Sequence, residues 1–200
     1  MKRSQLTHEI VFDKDFAQKY AKHHQKMTDK FGYEYAQKLT SRGFQQGKII
    51  DVGCGAGGTA IVLAKVFPEC EIVGIDLSEP LLNIARESAQ TSKLTERIKF
   101  VKADVQQIPY AENDFDVVIN LNMVHLVEDP IKMLNEMERI SKPDGALFIA
   151  DLKRSWLGIF EKEIKASLTL SEARELFERS NLREGVFSSG MLWWRFEAGN

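Results

Sequence analysis

Residues 48–65 have the sequence KIIDVGCGAGGTAIVLAK, in which a short apolar run leads through a glycine-rich segment into a second apolar run. Ile49, Ile50 and Val52 are typical of a buried parallel strand, and the stretch Thr59–Lys65 is typical of a helix. The glycines between them let the backbone turn sharply and approach a ligand without interference from Cβ atoms. A strand, a glycine turn and a helix in this order predict a nucleotide-binding site.

The glycine spacing fits two kinds of cofactor. Gly53, Gly55 and Gly58 form the dinucleotide pattern GxGxxG, whereas Gly53, Gly55 and Gly57 form GxGxG. Asp51 distinguishes them, because a carboxylate near the end of the strand would repel a pyrophosphate and attract a cation. S-adenosylmethionine carries an ammonium and a sulfonium, so Asp51 favours it over NAD(P). The alternative is that Asp51 is only a capping or turn carboxylate.

Length and composition predict one domain that spans residues 1–200. A chain of 200 residues with 44% hydrophobic side chains is large enough to bury a sheet between helix layers. The net charge of -2 gives no general reason to expect a nucleic-acid partner, although the first 48 residues are basic. Cys54 and Cys70 form no CxxC pair, and neither a signal peptide nor a run of membrane-spanning length is present, so we expect a cytoplasmic protein.

Short apolar runs alternate with helical patterns from Lys48 onward. The predicted strands after the first are Glu71–Ile75, Ile98–Lys102, Asp116–Leu121 and Ala146–Ala150, and the predicted helices among them are Glu79–Thr91, capped by Ser78, and Ile131–Ile140. This alternation predicts an α/β, Rossmann-like, doubly wound fold with a mostly parallel sheet of about seven strands. Ligands of such sheets bind at the carboxyl ends of the strands.

The two ends of the chain differ from the core, residues 48–152. Apolar residues in 1–47 repeat every four positions in two groups, which predicts two amphipathic helices that cap the core. Residues 153–200 are predicted to contain a lid segment, 153–170, then a helix, Glu172–Ser180, capped by Ser171 or Thr169, and an antiparallel hairpin of Gly185–Phe187 and Met191–Phe196.

Four stretches of the sequence carry a resemblance to a known family. They are IIDVGCGAGGTAIVLAK (49–65), VGIDLSEPLLNIARE (73–87), FVKADVQQIPYAENDFDVVINLNMVHLVEDP (100–130) and KPDGALFIAD (142–151). In order and spacing these resemble the class I S-adenosylmethionine-dependent methyltransferases, in particular the type 11 methyltransferase domains of the small-molecule type. The resemblance covers roughly half of the chain, which makes it far more specific than a single glycine motif.

The resemblance implies a set of cofactor-binding residues. The amino-acid end of S-adenosyl-L-methionine would be held by Asp51 and by the backbone of Gly53, Cys54, Gly55 and Gly57, and the methionine portion would face Asn120. Asp76 would bind the ribose hydroxyls. Leu77 would lie against the face of the adenine, and Asp104 and Val105 would contact its edge. A carboxylate suits the ribose because it accepts two hydrogen bonds at once. The alternative for Asp76 and Asp104 is that both are exposed turn acids.

Two residues are candidates for catalysis. His125 lies four residues beyond the fourth strand and could act as a general base, although a structural histidine packed beneath the cofactor loop is an equal alternative. Tyr20 lies on the apolar stripe of the first helix, which covers the cofactor and the acceptor in the family. Of the residues that a catechol-type metal site would use after the fifth strand only Asp151 is present, so we expect no metal.

The sequence therefore predicts an enzyme that transfers a methyl group to a small-molecule acceptor. Asn120-Leu121-Asn122-Met123 stands where many amino-directed DNA, RNA and protein methyltransferases have Asn/Asp-Pro-Pro-aromatic, which disfavours those acceptors. Three alternatives stay open: methylation of RNA or protein, a non-catalytic cofactor-binding module, and an NAD(P)-dependent oxidoreductase. We expect a monomer or a homodimer with neither a membrane nor a nucleic-acid partner.

Overall fold

A seven-stranded sheet forms the centre of the molecule in a computed structural model that describes residues 13–155 and 162–199. The strands are β1 Gln46–Val52, β2 Glu69–Asp76, β3 Ile98–Lys102, β4 Phe115–Leu121, β5 Ser141–Leu152, β6 Val186–Ser189 and β7 Trp193–Ala198. The helices are α1 Lys14–Ser41, α2 Gly58–Val66, α3 Glu79–Thr91, α4 Pro130–Ile140, α5 Lys162–Ala166 and α6 Leu170–Glu178.

The strand order is β3-β2-β1-β4-β5-β7-β6, with β1 to β5 parallel and β7 antiparallel to both of its neighbours. The chain therefore winds outward from β1 in one direction to β3 and then returns to build the other half from β4. This arrangement confirms the predicted doubly wound sheet and its C-terminal hairpin. In the described residues, no helix is both long enough and apolar enough to span a membrane.

Two apolar cores lie on opposite faces of the sheet. Ile49 packs in the core beneath α1, α2 and α3, whereas its neighbour Ile50 packs in the core beneath α4 and α6. Both side chains are 0% exposed. Burial on both faces explains why the central strands have continuous apolar sequences and not an alternation of apolar and polar residues.

The N-terminal region differs from the sequence prediction of two capping helices, because residues 14–41 form the single helix α1. The two apolar groups continue one another on the same side of this helix, and Gly32 does not interrupt it. A Cβ at Gly32 would lie 2.8 Å from the Cβ of Val62 in α2, so glycine allows the two helices to pack closely. Phe12, which belongs to the predicted pattern, lies outside the described residues.

Helix caps and the start of β5 refine the predicted boundaries. Ser78 caps α3 as predicted, with its hydroxyl oxygen accepting from the Leu81 amide at 3.3 Å, and Thr169, not Ser171, caps α6. Strand β5 begins at Ser141 although its predicted start was Ala146. Residues 143–145 form an irregularity within the strand, where the pairing with β4 shifts register.

Candidate functional site

The polar residues singled out in the sequence gather at one edge of the sheet. Val52, at the end of β1, pairs with Ile75 of β2 on one side and with Asn120 of β4 on the other. Asp76 pairs with Lys102 at the end of β3. Because these four strands are parallel, their carboxyl ends and the loops that follow them lie side by side.

The three glycines of the predicted motif have different structural roles. Gly53, Gly55 and Gly57 all have positive φ angles, of 77°, 51° and 76°. A Cβ at Gly57 would lie 2.6 Å from the Phe100 ring, and one at Gly53 would lie 2.8 Å from the Met123 side chain. Among the described residues, a Cβ at Gly55 would have only the Leu81 side chain within 4 Å, at 4.0 Å. The space above Gly55 is therefore open to a ligand, whereas Gly53 and Gly57 permit close packing.

Asp51 is a carboxylate buried beneath this loop. It is the penultimate residue of β1 and only 2% exposed, and the backbone N–H of Ala60 in α2 donates a hydrogen bond to it. Burial, and then the negative charge of Asp76, raise the pKa of Asp51 from its usual 3.8 to about 7. A cation bound beside Asp51 would relieve this cost, whereas a pyrophosphate would increase it.

Asp76 ties the glycine loop to the start of α3. Its Oδ2 accepts from the Gly55 amide and its Oδ1 accepts from the Ser78 amide, both at 2.8 Å. Burial raises the pKa of Asp76, and these backbone hydrogen bonds act against that rise. Each carboxylate oxygen can accept a further hydrogen bond, so the two together can receive a pair of hydroxyl groups.

The residues after β2 and β3 contribute two half-buried groups and one core residue. Leu77 and Asp104 are half-buried, and Asp104 Oδ1 accepts from the Gln106 amide at 2.8 Å. Val105 is only 2% exposed and packs in the core on the α4 side, so its side chain is part of that core.

Cys54, in the glycine loop after β1, is also buried. Burial raises the pKa of its thiol well above its usual value, which leaves it protonated.

Asn120 joins the two halves of the sheet at this edge. Its side chain is fully buried, and its Nδ2 donates to the Val52 carbonyl at 2.7 Å. Its Oδ1 has no hydrogen-bond partner among the described residues. The amide nitrogen is therefore committed to β1, and a ligand would be met by Oδ1 or by the backbone of the strand.

His125 forms a buried pair with Asp151 at the end of β5. The Nδ1 of His125 lies 2.6 Å from Asp151 Oδ1, and neither side chain has any exposed surface. The His125 amide also donates to Asp151 Oδ2 at 3.0 Å. The sequence showed Asp151 only as a remnant of a metal site, because 26 residues separate it from His125. No cluster of His, Cys, Asp and Glu among the described residues could hold a metal ion.

Tyr20 lies on α1, on the stretch that continues beyond the end of the sheet. Further along α1, Phe31 packs edge-on against Trp193 of β7, with 4.9 Å between the ring centroids. Trp193 pairs with Leu152, the last residue of β5. The Tyr20 ring lies 4.0 Å from the His24 ring, and His24 Nδ1 lies 3.0 Å from the Tyr20 carbonyl oxygen. Residues 156–161 of the predicted lid lie outside the described residues.

Asn122 is a residue of this edge whose features the sequence did not reveal. It follows β4 with a left-handed φ of 58° and is only 5% exposed. Its amide donates to the Ala150 carbonyl at 2.8 Å, while its Oδ1 has no hydrogen-bond partner in the described part of the chain. The only sequence signal was the residue type, since asparagine tolerates this backbone region better than most residues.

Two cavities lie apart from these carboxylates. One of about 260 Å³ is lined by residues of α1, α2 and α3 that include Thr28, Gly58 and Ser88. A second, of about 710 Å³, lies along β3 and is lined by residues that include Lys14 and Phe100. Neither is lined by Asp51, so we locate the site by the gathered carboxylates and the open space at Gly55, not by cavity size.

Comparison with known proteins identifies relatives for most of the chain. A family model described as a methyltransferase domain matches residues 44–186. An uncharacterized methyltransferase of Schizosaccharomyces pombe is 29% identical over 157 residues, which are 76% of this chain and 55% of the relative. Methyltransferase GfsG of Streptomyces halstedii is 31% identical over 72% of this chain and 52% of its own length. The chain thus spans about half the length of these curated relatives.

Solved structures share this fold. A structure from Methanococcus maripaludis, titled as an S-adenosyl-L-methionine-dependent methyltransferase, covers 100% of this chain and 98% of its own, with a TM-score of 0.76 and 21% identity. A SAM-dependent methyltransferase structure from Aquifex aeolicus covers 93% and 97%, with a TM-score of 0.73 and 22% identity. At these identities the likeness shows the fold alone.

The raised pKa of Asp51 predicts that the variant Asp51→Asn is more stable than the wild type, and increasingly so as the pH rises. The folded state binds the Asp51 proton more tightly than the unfolded state does. Above about pH 4 the carboxyl ionises in the unfolded state but not in the folded state, so the fold becomes progressively less stable until the folded state also ionises at about pH 7. The full cost is roughly 4 kcal/mol at 1.36 kcal/mol per pH unit. Between pH 5 and pH 8 the gain from Asn should grow by about 3 kcal/mol.

Urea unfolding of both proteins at pH 5 and pH 8 measures this difference. Asp144→Asn, at an exposed position, is the matched control and should show no comparable dependence on pH. A gain for Asp51→Asn that stays constant or shrinks between pH 5 and pH 8 would contradict the assignment of a buried, costly charge to Asp51.

Proposed function

This chain belongs to the methyltransferase domain family, within the class I S-adenosylmethionine-dependent methyltransferases, and we propose that it transfers a methyl group to a small-molecule acceptor. The cofactor is S-adenosyl-L-methionine. The observation that carries the proposal is the buried carboxylate of Asp51 below the open space at Gly55, with Asp76 beside it. A ligand with one cationic end and a pair of hydroxyl groups fits these charges.

The residues present at the edge fit the chemistry of this cofactor. Asp51 would receive the ammonium group, and Asp76 would receive the two ribose hydroxyls with the oxygen lone pairs that Gly55 and Ser78 leave available. Asp104 would accept from the adenine amino group while Leu77 lies against the ring. Oδ1 of Asn120, buried and without a partner in the described part, is available to the methionine portion.

The chain's contribution to the reaction is alignment of the acceptor and exclusion of water. When bound, the cofactor supplies a methyl group on a sulfonium, which is already a good leaving group. Holding an acceptor in line with that group can lower the barrier by about 7 to 11 kcal/mol. The loop after β4, with Met123 packed on Gly53, and the leading stretch of α1, with Tyr20, are the segments we propose to hold the acceptor.

The relatives support a small-molecule acceptor. A relative from Bacteroides fragilis, 33% identical over 54% of this chain and 44% of its own length, is named demethylmenaquinone methyltransferase, after a small molecule. The sequence after β4 also lacks the motif of amino-directed nucleic-acid and protein methyltransferases. Methylation of RNA or protein is kept as the second candidate by the basic N-terminal residues. Membership of the family leaves the oxidoreductase alternative without support.

Three expectations remain part of this proposal. His125 and Tyr20 are proposed as the residues nearest the reacting groups. A cytoplasmic location, and a monomer or homodimer as the functional unit, remain predictions from the sequence.

Calorimetric titration with S-adenosylhomocysteine and, separately, with NADH tests the cofactor assignment. We expect saturable binding of S-adenosylhomocysteine and none of NADH, because Asp51 and Asp104 match the amino-acid and adenine ends of the first ligand and Asp51 would repel the pyrophosphate of the second. Binding of NADH without binding of S-adenosylhomocysteine would overturn the proposed function.

The variant Asp76→Asn tests the role given to the ribose-binding residue. Loss of one charged acceptor should weaken S-adenosylhomocysteine binding by about one to two orders of magnitude, since a hydrogen bond to a charged group contributes about 1.5 to 3 kcal/mol. Asp116→Asn is the control, because Asp116 accepts from Lys48 and Lys142 at the opposite end of the sheet. If Asp76→Asn binds as tightly as the control, the ribose assignment is wrong.

Turnover with a panel of oxygen, nitrogen and sulfur nucleophiles tests the activity itself. We expect radiolabelled methyl groups from the cofactor to appear in at least one class of small molecule. A protein that binds S-adenosylhomocysteine but methylates no member of the panel would favour the non-catalytic binding module. Label recovered only in RNA or protein would favour the second candidate.

A further inference from the structure

Three consecutive residues in the first turn of α2 link α1 to the buried carboxylate of Asp51. Gly58 packs against Thr28 of α1, and the hydroxyl of Thr59 donates to the Thr28 carbonyl at 3.3 Å. The next residue, Ala60, donates its backbone N–H to Asp51. Thr28 therefore contacts the same helical turn that supplies a hydrogen bond to the carboxylate proposed to bind the ammonium group.

The contact with Thr28 is what requires a glycine at position 58. Unlike the three motif glycines, Gly58 has no positive φ angle. A Cβ at Gly58 would lie 2.2 Å from Thr28 Oγ1 and 2.8 Å from Thr28 Cβ. Rotation of the Thr28 hydroxyl would leave the second clash in place, and it would break the hydrogen bond from Oγ1 to the Gln25 carbonyl at 3.0 Å. A larger residue at position 58 would have to displace one of the two helices.

Packing one turn beyond Thr28 holds α1 in place. A Cβ at Gly32 would lie 2.8 Å from the Cβ of Val62, so the two helices are already in close contact there. Phe31 and Tyr35 are 3% and 2% exposed and belong to the core beneath α1, α2 and α3. Because α1 is anchored on this side of Thr28, a clash at Thr28 would displace the first turn of α2.

We propose that Thr28 is a positioning residue, which holds the first turn of α2 where the Ala60 N–H reaches the Asp51 carboxylate and so prepares Asp51 for the ammonium group of the cofactor. This inference rests on the proposed function, in which Asp51 receives that group. Thr28 acts on the site only through α2, without contact to the ligand. The competing explanation is that Thr28 and Gly58 only pack two helices together.

Carbon-13 NMR of the aspartate carboxyl groups, followed from pH 5 to pH 9, tests the proposal without any ligand. Gly58→Ala should withdraw the Ala60 donor and raise the pKa of Asp51 above its wild-type value of about 7, because that hydrogen bond stabilises the ionised carboxylate. The signal of Asp51 is the one that disappears in Asp51→Asn. The titratable groups whose charges act on Asp51 in the described part of the chain stay in place; they are Asp76 of β2, Tyr35 of α1 and Cys54 of the glycine loop.

Two further variants separate positioning from packing alone. Combining Thr28→Gly with Gly58→Ala removes the side chain that the new Cβ would meet, so the pKa of Asp51 should return to about 7. Gly32→Ala is the matched control, because it creates a clash between the same two helices one turn away. It should destabilise the protein and leave the pKa of Asp51 unchanged. No rise in Gly58→Ala, or an equal rise in Gly32→Ala, would overturn the proposal.

Calorimetric titration with S-adenosylhomocysteine at pH 7 extends the test to the binding site. Gly58→Ala should weaken binding by about 10-fold or more, the effect of losing one hydrogen bond to a charged group. The combined variant and Gly32→Ala should bind nearly as tightly as the wild type. Equal losses in Gly58→Ala and Gly32→Ala would show a purely structural contact and overturn the proposal.

A milder variant serves if Gly58→Ala does not fold. Thr59→Val keeps the shape of the side chain and removes only the hydrogen bond to the Thr28 carbonyl. It should raise the pKa of Asp51 in the same direction, and an unchanged pKa would overturn the proposal. A wild type that does not bind S-adenosylhomocysteine would remove the proposed function itself, whereas the NMR titration would still decide whether Thr28 acts on Asp51.

Discussion

The burial of Asp51 at the end of the central strand is the constraint around which the binding edge is built. A carboxylate that is 2% exposed, with a second carboxylate nearby, destabilises the fold progressively between about pH 4 and pH 7 and fully above that. The amide of Ala60 relieves part of that cost, and a cationic ligand would relieve more. Proteins retain such costly groups mainly at functional sites. The apolar cores on both faces of the sheet stabilise the fold and offset the cost of burying Asp51.

The edge divides into two halves with separate chemistry. Strands β1, β2 and β3 present Asp51, Asp76 and the half-buried Asp104, which suit a ligand with a cationic end, hydroxyl groups and an amino group. Strands β4 and β5 present Asn122 and the buried pair of His125 with Asp151. Asn120 connects the halves through its hydrogen bond to Val52. The reversal of strand order between β1 and β4 is what brings the two sets together.

The sequence predicted the fold well because the fold depends on local signals. Apolar runs give strands, Ser78 gives a cap, and positive-φ glycines give the turn. The sequence also singled out Asp51, Asp76, Asp104 and Asn120, which the structure brings to one edge, and their role in binding the cofactor stays a prediction. The sequence did not predict the single helix α1, since its continuity depends on packing against α2 and β7. It also did not reveal the contact between His125 and Asp151 or the buried Oδ1 of Asn122, because these depend on which loops the sheet brings together. Only Gly55 of the three motif glycines lies beside open space, a distinction that spacing alone does not contain.

The most direct test of Asp51 as the recognition group is the number of protons exchanged when S-adenosylhomocysteine binds. Calorimetry at pH 7 in buffers of different ionisation enthalpy measures that number. Because the bound ammonium stabilises the ionised carboxylate, we expect a net release of protons by the wild type and almost none by Asp51→Asn. Equal proton release by the two proteins, or net uptake by the wild type, would contradict it.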